Sequence, residues 1–280
     1  MRVQVRGVKL FFDVEGAKLR PAGDCMREVP TLLLLHGGPG FDHSEFKIGF
    51  SQLADITQII YLDHRGNGRS DSGARGHWNL ETWADDVHAF CAALEIEKPI
   101  VMGHSFGGIV AMFYATRYPE HPVKLILTST STQPVGERSY SMFEKLGGRP
   151  ARAAAIDFWT NPGMETVKRY NKICLPLYTQ RKLPDGFHSR AVRNPEMILV
   201  FIERELEAAA MMERLHRIVC PTLVLAGEKD PITPAADAEE IVAALPPSLA
   251  QFERIENAGH HLFWDQPETF FAIVRRFILM

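Results

Sequence analysis

Apolar positions along this chain follow two rhythms. Short, nearly unbroken apolar runs recur at 31–35 (Thr-Leu-Leu-Leu-Leu), 58–62, 98–102, 124–128 and 222–226. Runs this brief and this free of polar alternation predict central strands of a parallel sheet, covered on both faces. Between them the period lengthens. Over 80–94, Trp83, Val87, Phe90 and Leu94 fall on one stripe, and Asn79 stands where a helix N-cap belongs. Ile109 to Tyr118, Ala235 to Leu245 and Pro267 onward read as helices as well, the last with Phe270, Phe271, Val274, Phe277 and Ile278 on its packed side. Residues 2–14 alternate like a strand pair turning at Gly7, and 251–255 reads as a last strand. A stretch with Gly and Pro at about 20–30 predicts a loop. Strand and helix in alternation make an α/β fold with a doubly wound, mostly parallel sheet.

From 131 to 217 the strand-like runs disappear, and aromatic residues on helical spacing take over. Met197, Val200, Phe201, Arg204 and Leu206 to Met211 predict one long amphipathic helix near 197–215. The segment is too apolar for a linker. It predicts a helical cap inserted into a core made of 1–130 and 218–280, over the sheet edge where ligands of such folds bind.

Chemistry gathers at that edge. Gly103-His104-Ser105-Phe106-Gly107 fits the G-x-S-x-G elbow, with a strand before it and a helix after it. The glycines let the two elements close around the serine, and the helix N-terminus offers partial positive charge to an oxyanion. A serine hydroxyl needs a base, and the base needs an acid to hold its tautomer. In this topology the order is Ser, then Asp or Glu, then His. Asp230 follows the strand at 222–226 and His260 follows the strand at 251–255, with Glu228 and His261 as their neighbours and rivals. Ser105, Asp230 and His260 are therefore the expected triad. The oxyanion hole is expected from the N–H groups of Phe106 and of Gly38, in the turn His36-Gly37-Gly38-Pro39-Gly40, with Gly37 allowing close approach. Asp63 to Asp71 lacks a phosphate-loop pattern and reads as a brace for the site; His36, His64 and His104 read as structural.

A chain of 280 residues with 46% hydrophobic and 23% charged content accommodates one large domain with an insertion. A net charge of −3 supplies no attraction for nucleic acid or an anionic membrane. The scattered cysteines 25, 91, 174 and 220 read as free thiols, and no signal-peptide or membrane-spanning run is present, so a cytoplasmic location is expected. The eleven histidines show no H-E-x-x-H spacing, so neither a metal nor another cofactor is expected.

The glycine turn at 36–40, Asp63-His-Arg-Gly-Asn-Gly-Arg-Ser70, Gly103 to Gly108, Gly227-Glu-Lys-Asp230 and Gly259-His260 together resemble the α/β-hydrolase superfamily over nearly the whole chain. The His-Gly-Gly-Pro-Gly turn resembles the proline iminopeptidase group. That resemblance implies a serine exopeptidase with a helical cap, removing N-terminal residues from short peptides and holding the free amine on cap acids. Glu203, Glu205 and Glu207 are the candidates here. The elbow departs from the Gly-Gly-Ser-Trp-Gly type usual in that group; Gly-His-Ser-Phe-Gly-Gly is common among esterases and lactonases. A carboxylesterase or acyl-homoserine lactonase is the alternative, followed by a lyase or cofactor-free peroxidase and by a non-catalytic receptor on the same scaffold. The expected partner is a small-molecule substrate.

Overall fold

In the computed structural model, which describes residues 1–203 and 211–280, the chain opens with an antiparallel pair, β1 (Arg2–Val5) and β2 (Val8–Glu15). A second pair, β3 (Leu19–Ala22) and β4 (Cys25–Glu28), occupies the stretch where a loop was expected. This hairpin stands largely in solvent, so no buried face imposes an apolar alternation on its sequence. Then come β5 (Thr31–Leu35), β6 (Gln58–Leu62), β7 (Ile100–His104), β8 (Lys124–Thr128), β9 (Thr222–Gly227) and β10 (Ala250–Ile255). Eight strands form one sheet in the order β1-β2-β6-β5-β7-β8-β9-β10. From β6 to β10 all neighbours run parallel, while β2 joins β6 antiparallel.

Burial explains why the central runs are unbroken. The pleat sends Leu33 and Leu35 into one apolar cluster and Leu32 and Leu34 into another. The first is closed by α1 (Leu80–Ala93) and α2 (Phe106–Arg117), through Trp83, Val87, Phe90, Val110 and Tyr114. Asn79 caps α1 as its sequence predicts, its Oδ1 accepting from Thr82 N at 2.8 Å. After β8 come α3 (Glu137–Thr160), α4 (Met164–Ile173) and α5 (Pro195–Glu203), and after β9 comes α6 (Ala235–Ala244). The second cluster is closed by α7 (Leu262–Asp265), α8 (Pro267–Leu279) and the short 3-10 turns at 43–53, through Phe46, Phe50, Phe263, Phe270, Val274 and Phe277.

Among the described residues, 131–217 carries no strand. Helix α3 is broken at Gly148, whose φ of 71° no helix accommodates. Phe143, Ala154, Phe158, Tyr170 and Cys174 form a small core of their own, joined by Ile232 from beyond β9. The single helix expected near 197–215 differs from what is found: α5 ends at Glu203, Met212–Arg217 is a 3-10 turn, and 204–210 lie outside the described residues. No described helix is long and apolar enough to cross a membrane.

The strand order reverses direction at β5, whose neighbours are β6 on one side and β7 on the other. Loops leaving β5 and β7 therefore part to opposite faces and open a crevice at their carboxyl ends. The glycine turn leaves β5 and Ser105 leaves β7, so both stand at that crevice.

Candidate active site

Ser105 sits between β7 and α2 with φ 53° and ψ −120°, a conformation costly for any residue with a side chain. The surroundings hold it there. Ser105 N donates to Thr128 O at 3.0 Å, and the Thr130 hydroxyl donates to Ser105 O at 2.8 Å. A Cβ on Gly103 would strike the Gly107 carbonyl, and one on Gly107 would strike the Leu35 carbonyl. Only glycine at these two positions lets α2 close onto β5 and β7. The first N–H groups of α2 have no acceptor within the helix and surround the serine with donors. Phe106 anchors that end, packed edge-on against Trp83 at 4.9 Å and Phe201 at 5.4 Å.

Across the crevice, His260 Nδ1 lies 2.8 Å from Asp230 Oδ2. Asp230 is fully buried, with Oδ1 accepting from Ile232 N and Thr233 N and Oδ2 accepting from Thr233 Oγ1 at 2.7 Å. Burial alone would raise this carboxyl's pKa. The imidazole of His260 and the bonds from Thr233 outweigh it, so the net shift is downward and the carboxylate is the stable form. The two rivals are engaged elsewhere: Glu228 accepts from Asn257 N, and His261 faces Glu45. The backbone of His260 donates to Tyr178 O at 2.7 Å, and the Tyr178 ring stands edge-on to the imidazole at 5.0 Å. Asp265 completes the anchorage, accepting from Gly259 N on one oxygen and from Gln180 N and Arg181 N on the other. Tyr178, Gln180 and Arg181 belong to the 131–217 segment, which is thereby stitched to the histidine loop.

Ser105, His260, Gly37, Gly38 and Phe106 line one cavity of about 220 Å³, with Asp230 behind His260. The rest of the wall is mainly apolar, contributed by Phe41, Ile109, Phe158, Trp159, Tyr170 and Phe201 among others. Glu203, the last residue of α5, is exposed to solvent and is not among the residues that line the cavity. Glu205 and Glu207 lie outside the described residues. The Asp63–Asp71 loop is a brace. Asp63 accepts from His43 and from Arg69 N, while Asn67 Oδ1 accepts from Gly40 N in the glycine turn at 2.6 Å.

Glu45, His104 and His261 also line this cavity. Glu45 Oε1 accepts from Gly37 N at 2.6 Å, and burial pushes its carboxyl up to about 8. Burial, with His260 and His261 nearby, holds His104 well below the usual histidine range; burial and His260 bring His261 down to about 3. Linear spacing does not reveal this trio, because its members come from three separate stretches of the chain. It is the one group of side chains among the described residues placed to ligate a metal, where the sequence predicts none. Thr233, Tyr178 and Asp265 are likewise unmarked in sequence. Only the proximity of Thr233 to Asp230 offered a signal.

A family model described as alpha/beta hydrolase fold matches residues 30–267. Proline iminopeptidase PfmaB of Pestalotiopsis fici is 27% identical over 270 residues, covering 89% of this chain and 92% of that protein. Among solved structures, the proline iminopeptidase of Mycobacterium smegmatis superposes with a TM-score of 0.73 at 21% identity, covering 99% of this chain and 97% of that one. Est816, an N-acyl homoserine lactone degrading enzyme, superposes at 0.71 with 22% identity, covering 99% and 100%. At such identities the two superpositions speak to the fold alone.

Proposed function

The chain belongs to the α/β-hydrolase fold family, and on that premise we propose that it is a serine hydrolase cleaving an ester or amide bond of a small substrate through an acyl-enzyme. The observation that carries this reading is the 2.8 Å bond from the His260 ring to the buried Asp230, on the cavity that Ser105 also lines. Ser105 attacks the acyl carbon. His260 takes the hydroxyl proton and returns it to the leaving group, and Asp230 holds the tautomer and balances the imidazolium. Phe106 N–H and Gly38 N–H receive the oxyanion, and Gly37 lets the substrate approach. Residues 131–217 act as a cap over a core of 1–130 and 218–280.

For the substrate, the glycine turn and the likeness to PfmaB support an exopeptidase of the proline iminopeptidase kind, with Glu205 and Glu207 as candidates for the amine. The apolar cavity wall favours a second reading, an ester or lactone with an apolar acyl group. A fluorophosphonate probe labels Ser105 in the wild type and fails on Ser105→Ala; labelling that survives the substitution overturns the assignment. Initial rates on a proline arylamide, the same compound with its amine blocked, an aryl ester and an acyl-homoserine lactone then separate the readings. Turnover of the free-amine arylamide alone supports the exopeptidase, and turnover of only ester or lactone supports the second reading.

A further inference from the structure

Glu45, His104 and His261 meet from three separate stretches: the 3-10 turn after the glycine loop, the end of β7 and the loop after β10. Glu45 Oε2 stands 3.8 Å from His104 Nε2 and 3.7 Å from His261 Nε2, and one ligand atom from each of the three residues lies within 4.8 Å of the others. Those separations are too long for hydrogen bonds. The two distances from Glu45 Oε2 are slightly wider than the roughly 3.3–3.5 Å that ligand atoms keep around a tetrahedral ion with bonds of about 2.0–2.2 Å. We propose that Glu45 Oε2, His104 Nε2 and His261 Nε2 bind a divalent transition-metal ion of the zinc type, drawn together by a small inward movement of the side chains.

The far atoms of the ligands support this. Glu45 Oε1 is held by Gly37 N–H at 2.6 Å, which leaves Oε2 as the free oxygen. His104 Nδ1 lies 3.2 Å from Thr128 Oγ1, which orients its ring and leaves Nε2 to face the carboxylate. Partners of this kind fix the tautomer and direction of a ligating imidazole. His261 Nδ1 has no hydrogen-bond partner among the described residues, and the Nε2 edge of the ring faces Glu45. One carboxylate and two imidazoles are an ordinary zinc donor set, and three protein ligands leave a fourth position for water or a substrate atom. Access exists, since all three residues line the cavity that holds Ser105.

The test uses the full chain, stripped with a chelator and titrated with Zn²⁺ by calorimetry and with Co²⁺ by visible absorption. The expected result is one ion per chain with the intense d–d bands of a tetrahedral Co²⁺ site. Glu45→Gln and His261→Asn should each weaken binding by about tenfold or more, on the scale by which even supporting groups alter metal affinity. His216→Gln, on the surface, should leave it unchanged, and so should Ser105→Ala, which keeps this result separate from the hydrolase assignment. Circular dichroism checks that each variant is folded, and His104→Asn replaces any that is not. Absence of binding, or equal affinity in the wild type and the folded ligand variants, overturns the proposal.

Discussion

The Asp230 carboxylate receives hydrogen bonds from Ile232 N, Thr233 N, the Thr233 hydroxyl and the His260 ring, so its geometry is set from every side. On the proposed mechanism, Asp230→Asn preserves the shape but removes the charge that would hold the His260 tautomer, and should lower kcat by on the order of 10³–10⁴ in steady-state kinetics with little loss of fold. Thr233→Val removes only the hydroxyl that donates to Oδ2 and lies 3.4 Å from His260 Nδ1. A loss near 1 kcal/mol, or about fivefold in kcat with KM nearly unchanged, is expected. Gly107→Ala tests the elbow itself. A methyl there meets the Leu35 carbonyl, which is backbone and cannot step aside, so soluble yield or melting temperature should fall sharply.

At the level of elements, Asp42 joins the glycine turn to the stretch around Val192. It caps the 3-10 turn through Ser44 N, pairs with Arg69 at 2.6 Å and accepts from Val192 N at 3.0 Å. Burial would raise its carboxyl, but the bonds from Ser44, Val192 and Arg69 prevail and hold it below the usual carboxylate range. A lowered native pKa gives stabilisation that is full above the ordinary aspartate value and is lost as pH falls through the native one. Acidification below about pH 4 should therefore release the 187–195 stretch before the sheet unfolds, read as early loss of amide protection there. Asp42→Asn should show that loss at neutral pH. Elements with two buried faces or a single apolar stripe were legible in the sequence, because burial writes itself into spacing: β5, β8 and α1 fall within a residue of their expected bounds. The β3–β4 hairpin was not, since solvent on both sides demands nothing of its residues. The convergence of Ser105, Asp230 and His260 at one sheet edge was legible because topology orders these strand ends along the chain. Glu45 with His104 and His261 was not, because the fold alone makes neighbours of residues so far apart in sequence.

Across the whole molecule, one sheet separates two apolar clusters, and β5 feeds both through alternating leucines with no measurable exposure. Leu33→Ala and Leu34→Ala open cavities on opposite faces, and each should cost about 2–5 kcal/mol in urea unfolding. The effects should be nearly additive, since the side chains share no cluster.

The bond from His260 N to Tyr178 O, with Asp265 binding both strips of backbone, has a kinetic consequence. Any swing of residues 131–217 wide enough to admit a bulky substrate past Tyr178 must pull on the loop that carries His260. If His260 is the base, as proposed, substrate entry and proton transfer would then occupy different moments of the turnover cycle, the base slack while the passage is open and set again as it closes. An enzyme of that kind would have its turnover clocked by the closing step rather than by proton transfer.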